Sequence, residues 1–284
     1  MKYLGILTAL MSLNVSSPAL SWAAEESKPG TQVEMEPTVS EVYSDPSKAD
    51  PDAPIGSYRQ PYWATRRIFP GGRSYLIPRK DLEAEFWFNT KVHRFDQGTQ
   101  YLLQHEIEYG FADHLQFDFY LNEIKMPGDI FKFEGIQLEL RYALADWGKL
   151  FLNPTFYFEY HPRNGFPDRA EVRLLLSETI APNWHFVSNL GVESEFSGDQ
   201  THEYLLSAAI ARSIVGDRFS VGVEAKTEWN DTLSTRGTLN KELYVGPSLR
   251  WRPSATFHIA YTTFIGVNDV SDQTQNTVIF GVDL

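Results

Sequence analysis

Glu83 and Glu85, then Glu106 and Glu108, carry carboxylates two residues apart. That spacing puts both side chains on one face only where the chain is an extended strand. Paired carboxylates on one face can share a proton as an acid–base dyad, attract a cation, or line a water-filled passage. The same parity continues through Asp118, Glu139, Glu159, Glu171, Glu224 and Glu228, joined by fewer bases: Arg141, Arg173, Lys226 and Arg250. So many acids at one parity are explained more simply as the lining of a lumen than as one dyad. A water-filled lumen lined in this way favours cations and disfavours anions.

A second group of charges lies just upstream. Residues 56–80 hold Arg59, Arg66, Arg67, Arg73, Arg79 and Lys80 and no acid, interleaved with Tyr58, Tyr62, Trp63, Phe69 and Tyr75. Residues 81–284 hold 16 bases against 29 acids, a net of −13. Arginine pairs with carboxylates in bidentate geometry. Arg59, Trp63, Arg66, Arg67, Phe69 and Arg73 are therefore expected to form a plug that folds into the acidic lumen. The simpler alternative is a solvated basic linker.

Reactive chemistry has little support. The chain has no cysteine, which removes thiol nucleophiles, cysteine metal sites and disulfides. None of the seven histidines forms an HExxH or HxH pair, and no GxSxG elbow is present. His185 and Ser188 fall on opposite faces of one segment. Ser248 and His258 share a face on adjacent segments, but nothing marks them as a pair. No enzyme, cofactor or metal is expected. The net charge of −12 argues against nucleic acid as a partner.

Strands must position these groups. In residues 98–122, GTQYLLQHEIEYGFADHLQFDFYLN, apolar Tyr101, Leu103, Ile107, Tyr109, Leu115, Phe117, Phe119 and Leu121 alternate with polar neighbours on both arms of a hairpin. The unit recurs to give twelve strand segments within 81–284, the fifth near 150–160. Short turns such as GFADH, ADWGK, APN and VGDR alternate with longer loops. An even strand count, short turns on one side and longer loops on the other predict an all-β, twelve-stranded antiparallel transmembrane barrel with both termini on the short-turn, periplasmic side. Twelve strands enclose more space than apolar side chains fill, so the polar parity should face inward and the apolar parity should meet outer-membrane lipid. Trp147, Trp184 and Trp251 near the turns, and Trp87, Tyr160 and Trp229 near the opposite ends, are expected to form two interfacial girdles.

Residues 1–23 read as a Sec-type signal peptide: Lys2, an apolar Leu4–Leu13 centre, and small Ser21 and Ala23 at the cleavage offsets. Residues 24–55 carry eight acids against Lys28 and Lys48 without apolar periodicity, which predicts a disordered acidic leader. The last residues, QNTVIFGVDL, place Val278, Phe280, Val282 and Leu284 on one face. They resemble the C-terminal assembly signal of bacterial outer-membrane barrels, which implies recognition by the barrel-assembly machinery. The repeated strand–turn–strand unit EYGFADHLQFDFYL resembles the transporters of the meta-pathway phenol-degradation family, which implies an outer-membrane channel or uptake role. A passive channel for small solutes is thus expected, with a closed-lumen structural barrel as the alternative.

Overall fold

The computed structural model describes residues 45–284, save Ser57 and Asp96. The signal segment 1–23 and residues 24–44 of the acidic leader lie outside the described residues. Twelve antiparallel strands follow one another round a closed barrel. They are β1 Leu82–Val92, β2 Thr99–Ala112, β3 Leu115–Lys125, β4 Lys132–Ala143, β5 Thr155–His161, β6 Arg169–Ala181, β7 Trp184–Glu195, β8 His202–Val215, β9 Phe219–Asp231, β10 Asn240–Trp251, β11 Phe257–Gly266 and β12 Thr274–Asp283. β12 pairs with β1 from Thr274↔Val92 to Asp283↔Glu83, so no strand edge is left open. In lipid, that closure satisfies backbone hydrogen bonds which an open edge would leave unpaired.

The alternation read from the sequence sets the two faces. Ile107, Phe117, Leu140, Phe158, Val172, Val192, Val223 and Phe280 point outward and are 36–57% exposed. Their neighbours Glu108, Asp118, Glu139, Glu159, Glu171 and Glu224 point inward and are at most 5% exposed. The outward belt is the surface that meets lipid.

The fifth strand differs from the expected span. It starts at Thr155, and the connection before it runs through 144–154, longer than an ADWGK turn. Leu152 and Asn153 adopt positive φ there. The Asn153 side chain accepts from Gly148 N at 2.6 Å and donates to the Ser177 carbonyl at 2.9 Å. Residues 150–154 are thereby tied into a turn that an unbroken strand could not make.

Residues 45–55 also depart from the expected disordered leader. Asp217 N donates to the Pro46 carbonyl at 2.8 Å, Asn183 N donates to Asp52 at 2.6 Å, and Pro54–Ile55 pairs with Gln60–Pro61. Polar backbone at the β6–β7 and β8–β9 turns supplies partners that leader composition cannot reveal.

Candidate functional site: the acidic lumen and the segment inside it

Strand register turns scattered acids into a continuous row. Across consecutive ladders Asp283 faces Glu83, Glu83 faces Glu108, Glu108 faces Asp118, and Asp118 faces Glu139. The row continues from Glu139 to Glu159, Glu171, Glu193 and Glu203. Nine strands thus contribute a carboxylate directly opposite its neighbour. It starts beside the short turns at Glu83 and ends beside the longer loops at Glu203, so it climbs the barrel wall. Like charges directly opposite in a ladder are destabilising. The row therefore requires positive charge from elsewhere.

Residues 56–80 supply much of it. Tyr58, Tyr62, Trp63, Ile68, Phe69, Tyr75 and Leu76 are all at least 98% buried, and the segment bonds to strands on several sides of the barrel. Arg67 Nε lies 2.7 Å from Glu85 Oε2, while its Nη2 reaches Glu106 at 3.4 Å and also contacts Glu108. The guanidinium stacks on Trp87, 4.5 Å from the ring centre. Arg73 Nη2 lies 3.3 Å from Glu139 and 3.5 Å from Glu106, and contacts the Tyr120 hydroxyl. Arg66 pairs with Asp283 of β12. Burial and the neighbouring Arg73 disfavour the charge on Arg67, but the carboxylates of Glu85, Glu108 and Glu106 outweigh them and raise its pKa. Burial likewise opposes the Arg73 charge, and Glu139 foremost restores it.

The tip of the segment fits because it lacks side chains. Gly71 N donates to Glu224 Oε2 at 3.0 Å, and a Cβ on Gly71 would lie 2.5 Å from the Phe264 ring. A Cβ on Gly72 would lie 3.0 Å from Val187. On the far wall Asn189 brackets the backbone of Arg73, accepting from its N at 2.9 Å and donating to its carbonyl at 3.0 Å. Near the turns, Trp63 packs edge-on against Trp147 at 5.7 Å, and Tyr75 packs against the same indole at 5.3 Å.

The remaining named positions also fall inside the barrel. Arg141 bridges Asp118, at 3.0 Å, and Glu139. Arg173 holds both oxygens of Glu171. Lys226 pairs with Glu228 at 2.6 Å beneath the rings of Tyr244 and Phe264. Arg250 is 1% exposed and pairs with Asp217 of the β8–β9 turn at 2.6 Å. Gly281 leaves room for the His258 ring to cross β12, placing its nitrogens 3.2 Å from Glu83 and Glu85.

Three expectations need correction. Arg59 does not join the buried cations: it is exposed, at φ 57 in the turn between the two short strands. Trp87 is no girdle residue. It is 8% exposed and donates to Glu85 at 2.9 Å and Glu106 at 2.8 Å, because even positions of β1 face lipid and odd ones face the lumen. Trp147 is recruited by Trp63 and Tyr75 instead of lipid. Sequence reading missed Gln116, Tyr120 and Asn189, which bond the segment; their inward parity was the available signal.

Several arrangements among the described residues resemble reactive sites, including carboxylate clusters at Glu83, Glu85 and His258, at Glu85, Glu106 and Glu108, and at Glu159, Glu171 and Glu193. Oxygens of Glu106, Asp118 and Glu139 come within 4.8 Å of one another, as in a cation site, but Arg73 and Arg141 lie among them. Ser213, His185 and Asp52 form a hydroxyl–imidazole–carboxylate series at 3.1 and 3.6 Å. Ser213 is 5% exposed and shares its hydroxyl with Ser220, and Trp63 lies over the imidazole, 4.7 Å between ring centres. Asp52 of the leader and Trp63 of the segment thus both lie against the imidazole.

Comparison with solved structures gives the fold a context. An outer membrane channel from Pseudomonas putida F1 superposes with a TM-score of 0.58 at 9% identity, over 74% of this chain and 97% of that one. The KdgM porin superposes with a TM-score of 0.50 at 9% identity, over 71% of this chain and 99% of that one. At such identity the likeness concerns the fold alone, which is that of outer-membrane barrels. No protein-family model and no curated protein matches the sequence.

Proposed function

We propose that this chain is an outer-membrane channel for passive passage of small solutes, with cations favoured, and that residues 56–80 plug it. The observation that carries the reading is the carboxylate row, which continues past the buried segment toward the longer loops. A barrel that needed only stability would alternate charges across its ladders instead of opposing acids. Neighbours described as an outer membrane channel and as a porin support the outer membrane as the location, and the resemblance to phenol-degradation transporters supports uptake. The apolar face of β12 is the surface the barrel-assembly machinery would engage.

A closed-lumen structural barrel is the second reading, favoured by how completely Trp63, Phe69 and Leu76 are buried. Planar-bilayer recording of the full chain and of a chain lacking residues 56–80 separates the two. The channel reading expects larger conductance after deletion. A deletion chain that assembles but never conducts would support the closed barrel.

A further inference from the structure

Above the tip of the buried segment lies a cavity of about 180 Å³, bounded by Gly71 and Arg73 on one side and by Trp87, Tyr120, Tyr157 and Glu159 of the wall. Its charges are unevenly matched. Arg173 spends its Nε and Nη2 on the two oxygens of Glu171, at 2.5 and 2.6 Å. Arg73 is matched by Glu139 and Glu106. Glu159 is 4% exposed, and among the described residues it has no ion pair: the Tyr157 hydroxyl donates to it, and its ladder neighbours on both sides are the acids Glu139 and Glu171. A buried carboxylate without a cation is costly, more so when flanked by like charges.

The same lumen shows what satisfies such a place. Arg67 sits between an aromatic face, Trp87 at 4.5 Å, and the carboxylates of Glu85 and Glu108. Beside Glu159 the analogous parts are a buried acid and the rings of Trp87, Tyr120 and Tyr157, of which Arg73 approaches the first two, at 5.2 and 5.9 Å, and Arg173 the last, at 5.1 Å. Aromatic faces and a carboxylate together favour a flat or compact organic cation over a hydrated alkali ion.

We infer that this cavity is a binding site for a small organic cation of the guanidinium or primary-ammonium class, with Glu159 as its counter-ion. The inference rests on the channel reading only for its biological use; the site itself is an equilibrium property of the folded chain. Arg73 and Arg173 at its edge set its size and confine the cation to the Glu159 side.

Calorimetric titration of the folded full chain in detergent with methylguanidinium chloride tests it. Saturable binding is expected, and Glu159→Gln should weaken it by at least about tenfold, since removing the partner of a desolvated charge is costly. The Gln variant relieves opposition with Glu139 and Glu171, so it should still assemble. A readout that needs no variant is the heat-unfolding temperature, which millimolar methylguanidinium should raise and equal sodium chloride should not. Absence of saturable binding, equal affinity in Glu159→Gln, or preferential binding of acetate lost in Arg173→Gln would each overturn the site. Binding in a chain whose plug-deleted form never conducts would overturn the channel reading and leave the site standing; conductance without binding would do the reverse.

Discussion

Arg67→Ala isolates the strongest grip of the buried segment on the wall. Arg67 is matched to Glu85, Glu106 and Glu108, each at most 4% exposed, and stacks on Trp87. Removing one partner from a buried charge pair typically costs about 3–5 kcal/mol, because the other partner stays buried and uncompensated. Each 1.4 kcal/mol is about a factor of ten, so the docked segment should lose about two to three and a half orders of magnitude of advantage over the undocked one. Ala64 is 2% exposed, and the chain has no cysteine, so Ala64→Cys reports undocking by maleimide labelling. At a fixed pH near 8, where free carboxylates stay ionised, labelling of the Arg67→Ala, Ala64→Cys chain should run about a hundred to a few thousand times faster than that of Ala64→Cys alone. Acidification should shrink the difference, since wall acids that take up protons no longer miss the guanidinium. Equal labelling rates in two barrels with the same heat-modifiable migration would refute the claim that these ion pairs hold the segment.

Gly71→Ala places a methyl 2.5 Å from the Phe264 ring and 2.7 Å from Glu224 Oε2, so the tip must withdraw; the variant should conduct more often than the parent chain in planar bilayers. Phe280 is 40% exposed on the lipid face of β12, and Phe280→Asp puts a charge there at a cost of up to about 2–4 kcal/mol at midplane, acids less than bases; the yield of heat-modifiable barrel should fall. Gly281→Ala drives its methyl into the His258 ring and should expel the imidazole from between Glu83 and Glu85, read as a shifted imidazole resonance in NMR spectra of the histidine-labelled chain.

The barrel was legible because its signal is local and repeated. Alternation such as Leu138–Leu140–Tyr142 against Gln137–Glu139–Arg141 states both the strand and its two faces, and twelve repeats leave one closed architecture. What sequence could not give was contact across the lumen. Trp87 looked like a girdle residue because aromatic type and strand position suit lipid, whereas its parity faces Arg67. Trp147 is drawn under Trp63 by the long 144–154 turn, whose shape depends on the bonds of Asn153. Arg59 shares the composition of the other arginines but stands in a turn. The row of facing carboxylates was only half visible: parity supplied the acids, and register, which requires the pairing itself, supplied their alignment. Leu175, apolar at an inward position opposite Thr155 and Asn189, is fully buried.

The central claim is that a row of acids forms a cation path which residues 56–80 occlude. The reversal potential of the chain lacking residues 56–80, measured across a potassium chloride gradient, tests it most directly. The deletion removes six cations and no acid, and three of the six, Arg66, Arg67 and Arg73, are buried inside a barrel that carries a net of −13. Conductance above that of the full chain and a reversal potential displaced toward the potassium equilibrium value are expected. An assembled deletion barrel that passes no current, or whose reversal potential lies at zero or toward chloride, would contradict the claim.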